Sequence, residues 1–149
     1  MKLLQLLCFP FLYAACNNST NNNQTVKTHA DSLMDEVMKD HNIGMAKMSK
    51  LNEAKNAVQR ALDSISMLST YHQQKNPAHY KMQLDSAFNR LTYADYAMEK
   101  WMNEFNMDSS LNNEEERIKY LESEKIKISK VKDAMISSLQ KADSLLKEK

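Results

Sequence analysis

Eight side chains, Tyr80, Leu84, Ala87, Leu91, Ala94, Met98, Trp101 and Phe105, recur at alternating steps of four and three with no missed step. On an α-helix this spacing gathers them into one apolar stripe, whereas on a strand it would scatter them over both faces. The stripe predicts a helix of about 30 residues, Pro77 to Asn106, roughly 45 Å long at 1.5 Å per residue. A helix with one apolar face is not stable alone, so other helices must cover it.

Two further stretches can do so. From about Ala30 to Tyr71, the residues Met34, Val37, His41, Met48, Leu51, Val58, Leu62 and Ile65 keep three-four spacing. From about Asn113 to Lys147, the stripe is Ile118, Leu121, Ile128, Met135, Leu139, Ala142 and Leu146. Lys125 and Lys132 interrupt it, with their stems expected along the seam. The breaks between helices are "HQQKNPAH" and "MDSSLNN", and a single Gly and two Pro leave few other places for the chain to turn. Thr28 with Asp31, Asn76 with Pro77, and Asn113 with Glu116 supply start signals. Glu114–Glu116 suit the positive end of a helix dipole. Residues 29–149 therefore read as an all-α, antiparallel three-helix bundle with coiled-coil-like packing. Gly44, in "HNIG", lacks about 1 kcal/mol of helix propensity relative to Ala. A kink there would make a short fourth segment, leaving residues 30–42 to overhang the second helix and bend over the end of the bundle.

The first sixteen residues, "MKLLQLLCFPFLYAAC", have a charged start, a short apolar run and small residues before a cysteine. Leu3 to Ala15 is 13 residues, short of the roughly 20 needed to span a bilayer. This is the layout of a cleaved leader, residues 1–15. "LYAAC" resembles the lipobox of bacterial lipoproteins, although Tyr13 stands where Leu is usual. The resemblance makes Cys16 the lipidated residue and residues 16–28 a polar tether, "NNSTNNNQT" at its centre, that holds the domain off the bilayer. Loss of Lys2 with the leader would leave 19 basic and 19 acidic residues, a net charge of 0. Membrane attachment would then come from the acyl chains and not from charge. Cys8 and Cys16 are the only cysteines, so a processed chain would have no thiol for a disulfide, a metal or catalysis. The charge balance favours no nucleic acid.

The stretches "VMKDHNIGMAKM" (37–48), "AMEKWMNEF" (97–105) and "YLESEKIKISKVKDAM" (120–135), with the lipobox, resemble small helical lipoproteins of Bacteroidota often labelled "viral A-type inclusion protein". In that family a proline follows the methionine corresponding to Met45 and would start a new helix; Ala46 imposes no such start. Many Bacteroidota lipoproteins destined for the cell surface carry an acidic run after the lipidated Cys. Residues 17–20 here are Asn, Asn, Ser and Thr, so the resemblance implies an outer-membrane lipoprotein facing the periplasm. It implies no activity.

One constellation could carry chemistry. Met34, Met38, His41, Met45 and Met48 fall at steps of four, three, four and three, one helical face of thioethers and an imidazole, ligands that suit Cu(I). Met98, Met102 and Met107 could approach from the second helix, beside Trp101. Against this, methionine fills irregular cores and sits well beside aromatic rings. His29, His72 and His79 fall at helix ends or in turns. The carboxylates, Glu122 and Glu124 with Lys127 and Lys130 among them, read as solvated pairs, and Asp95 as a rim carboxylate near Tyr93 or Tyr96. No pair marks acid–base catalysis, and one glycine cannot make a phosphate loop. The sequence thus favours a structural or interaction role for a lipid-anchored envelope protein, with another envelope protein as partner and no enzyme activity. Cu(I) handling and a holdase-type chaperone are the alternatives.

Overall fold

The computed structural model describes residues 27–67 and 77–147. The leader, Cys16, most of the tether, Tyr71, His72 and the Asn76 cap lie outside the described residues. Thr28 begins the first helix. Asp31 N–H donates to its hydroxyl at 3.1 Å while Thr28 N–H donates to the Asp31 carboxylate at 3.1 Å, so two orphan donors are satisfied reciprocally. These bonds hold the Asp31 carboxyl below its ordinary value. Helix α1 runs His29–Met45 and α2 runs Met48–Met67. Helix α3, Pro77–Glu104, starts on its proline. Helix α4, Glu114–Lys147, starts after Asn113, whose side chain accepts from Glu116 N–H at 3.2 Å. Among the described residues there is no strand, and no helix is long and apolar enough to cross a membrane.

Helix α1 ends one residue beyond Gly44, with Ala46 as its C-cap. Lys47 N–H turns back to Gly44 O at 2.8 Å, a tighter bond than the helical ladder, and Leu51 N–H to Lys47 O at 2.9 Å resumes the helix. Residues 30–42 do not bend over an end of the structure. They lie along the first half of α4, where Glu36 pairs with Lys125 and Asp40 with Lys132. The 34 residues of α4, roughly 51 Å of helix, are long enough to take α1 and α2 in succession. Helix α3 meets α4 in the opposite sense. Trp101 reaches Glu124, and the Tyr80 hydroxyl donates to Leu145 O at 3.2 Å.

The buried seams follow from this arrangement. On α3 the seam is Tyr80 to Trp101, as its spacing predicts, with Phe105 half-buried. On α4 the buried residues are Leu121, Glu124, Ile128, Met135, Ser138, Ala142 and Leu145, and half-buried Val131 completes steps of three and four without a gap. Ile118, Leu139 and Leu146 only flank it. On α1 the seam is Ala30, Leu33, Val37 and Gly44, one position before Met34, Met38 and Met45. Gly44 is buried because two helices close on it. A methyl group at its Cα would lie 2.2 Å from Met98 Cε and 3.3 Å from Met135 Sδ. Close approach is thus this glycine's function, together with its low helix propensity.

Gly44→Ala is expected to destabilise the native chain by about 1–3 kcal/mol through overpacking. With Met98 first shortened to Val, the same change should stabilise by up to about 1 kcal/mol, the propensity gain alone. Urea unfolding of the four variants gives the coupling; equal effects of Gly44→Ala in both backgrounds would mean that Met98 does not fill the notch.

Candidate functional site

The methionine face divides between environments. Met34 is half-buried against the cluster of Ala30, Leu33 and Leu121 at one end. Met38 is half-buried at a shallow surface depression with Asn42 and Ile43. Met48 packs on the main core, and Met45 is exposed. From α3, Met98 is fully buried, whereas Met102 and Met107 are exposed. The thioethers that the structure does bring together are Met98 and Met135, both at Gly44. Met135 is on α4, and spacing within one helix gives no sign of it. Among the described residues, no three His, Cys, Asp or Glu side chains gather as a metal site.

His41 is the member of that face with a defined aromatic neighbour. It is half-buried, with Nδ1 3.1 Å from Asn42 Oδ1, and its ring lies 5.5 Å from Trp101 at 37°. Trp101 stacks on Phe105 at 4.7 Å and 20°, and Phe105 on Tyr120 at 6.1 Å and 18°. A column of rings from three helices thus runs toward the α3–α4 turn. Of the other histidines described, His29 and His79 are exposed at helix starts, His79 Nε2 being 3.2 Å from Gln83 Nε2.

The polar centre of this column is Glu124, which is 4% exposed. It is not a solvated partner of lysine alone. The Trp101 indole N–H donates to its Oε2 at 2.8 Å, and Lys127 donates to its Oε1 at 2.7 Å. Each carboxylate oxygen therefore has a donor, as a buried charge requires. The same pairing raises the Lys127 ammonium above its ordinary value. Sequence reading missed Glu124 because the neighbouring Lys made it look like half of a surface pair; its place in the three-four register of Leu121 and Ile128 was the available signal.

Other polar groups tie helices together. Lys132 donates to both Asp40 oxygens at 3.0 Å, and this carboxylate holds the ammonium above its ordinary value. Asp95 accepts from Lys55 at 2.6 Å and joins α3 to α2. Ser138, 2% exposed, returns its hydroxyl to Met135 O within its own helix at 3.0 Å. These groups are engaged with one another. Two open grooves lie away from the inter-helix ion pairs: one between α3 and α4, flanked by Met82 and Tyr93, and one between α2 and α4 over Ala54, Ala57 and Leu139.

Trp101→Phe keeps a ring in the column but removes the donor to a buried charge. It should cost about 1–3 kcal/mol or more, read as a lower unfolding midpoint. In a Glu124→Leu background the same change should cost under about 1 kcal/mol, since no charge is left unpaired. A Trp101→Phe cost that is the same in both backgrounds would show that the indole N–H contributes nothing through Glu124.

No protein-family model, no curated protein and no solved structure matches this chain.

Proposed function

We propose that the chain is a lipid-anchored helical protein of the cell envelope with a structural or protein-interaction role and no catalysis. It is attached through Cys16 to the periplasmic face of the outer membrane. In this reading residues 1–15 are removed, and residues 16–28 connect the lipid to an antiparallel bundle of three arms, the first bent at Ala46–Lys47. The observation that carries the reading is the junction at Thr28. A leader-like segment ending in Cys16, then a polar tract, lead into a helix whose start is capped at once and whose Ala30 and Leu33 are already buried. The fold thus takes up the chain directly where a tether would release it.

The interaction role is supported by what the described side chains do. Buried Glu124 and the half-buried pairs Asp40–Lys132 and Lys55–Asp95 each bridge two helices, an arrangement that engages these groups in holding the helices together. The outer face of α3 shows Met82, Tyr93 and Tyr96 at 61%, 63% and 59% exposure, residue types favoured in protein interfaces.

Cys16→Ser is expected to abolish fatty-acid labelling in cells and move the protein from the membrane to the soluble fraction. Retained labelling and membrane association in that variant would overturn the anchor.

A further inference from the structure

The turn between α3 and α4, residues 105–113, is tied down from several sides yet leaves two large apolar side chains in solvent. Asn106 N–H donates to the Tyr120 hydroxyl at 2.7 Å, and Asp108 N–H to the Asn106 side chain at 3.0 Å. The Arg117 guanidinium donates to Met107 O at 3.1 Å and to Ser109 O at 3.0 Å. Ser110 takes a left-handed conformation, φ 56°, uncommon for a residue with a Cβ, and Asn113 N–H closes on its carbonyl at 3.1 Å. Despite this, Met107 is 54% exposed and Leu111 58%. A turn fixed by so many bonds could hide such side chains or carry polar ones; this one displays them.

The turn also lies at the end where the tether enters. The first turns of α1, Ala30 and Leu33, pack with Leu121, Phe105, Ile118 and Tyr120. Arg117, which holds the turn, is close enough to Asp31 to help lower its pKa. The eleven-residue step from Cys16 to Lys27 reaches about 40 Å at most when fully extended. A lipid on Cys16 would therefore keep this end near the bilayer, where a weak apolar contact gains from high effective concentration. Three exposed glutamates, Glu114–Glu116, begin α4 beside the turn, which selects against an anionic surface.

We propose that Met107 and Leu111 form a second, non-covalent contact with the bilayer, inserting at the headgroup boundary of zwitterionic phospholipid and setting the bundle with its α3–α4 turn against the membrane. This rests on the reading of Cys16 as the lipid anchor, and it replaces a domain held free of the surface with one seated on it by that end.

The test uses the full chain, processed in cells and reconstituted in phosphatidylcholine vesicles. A nitroxide is attached at Leu111→Cys or, as a control on α3 far from the turn, at Met82→Cys. Collision rates with oxygen, concentrated in lipid, and with an aqueous nickel chelate are read by electron paramagnetic resonance. The expected result is an oxygen-to-nickel ratio severalfold higher at 111 than at 82. That excess should be lost when Met107→Asp is added, with helical circular dichroism unchanged. Equal ratios on protein that floats with the vesicles would overturn the contact and leave the anchor standing. Protein that neither floats nor takes fatty-acid label would overturn both. Dipolar broadening between labels at 111 would assign the turn to a second copy of the chain, and so overturn the lipid contact.

Discussion

The notch at Gly44 is the point on which the helices agree. It belongs to α1, is filled by Met98 of α3, and has the Met135 sulfur of α4 beside it. A Cβ there would push on two fully buried side chains, in an interior that transmits small volume changes because it is closely packed. The glycine costs α1 helix propensity, and the helix does end one residue later. Close contact offsets that cost: it sets how α1 lies on α4, and hence that Asp40 reaches Lys132 and His41 reaches Trp101.

Beyond the notch, the long helix α4 carries the register. Its three-four seam runs unbroken through Glu124 and Ser138, two polar residues that would weaken the core if left unsatisfied. Each has an internal partner. For Glu124 the partner is an indole that stands in a column of rings, so the hydrogen bond and the stacking fix the same side chain. Lys127 serves the other oxygen from α4 itself, so the indole is the tie to α3, and losing it at a buried charge penalises sliding of α3 along α4.

The sequence showed much of this unevenly. The α3 seam was legible in full, because each of its buried positions is apolar or aromatic. On α4 the periodicity was legible but its gaps were misplaced: Lys125 and Lys132 are not in the seam but beside it, pairing with α1 carboxylates, while Glu124 holds a seam position. The largest difference is on α1. Met34, Met38 and Met45 outweigh Ala30 and Gly44 in apolar size, so the helix reads as facing one residue too far round. Ala30 and Gly44 complete the seam with Leu33 and Val37, and at Gly44 the bulk comes from α3 and α4; one helix alone gives no information about side chains on two others. The break after Met45 was legible from Gly44; the tight packing there was not.

The packing of the helices turns on Met98 filling the Gly44 notch. Methionine methyl groups labelled with carbon-13 allow this to be seen directly by nuclear magnetic resonance. A nuclear Overhauser contact from the Met98 methyl to the Gly44 α-protons is expected, as is a Met98 signal that a soluble paramagnetic agent leaves sharp while broadening Met82 and Met107. A Met98 methyl without that contact, broadened like the exposed ones, would contradict this packing.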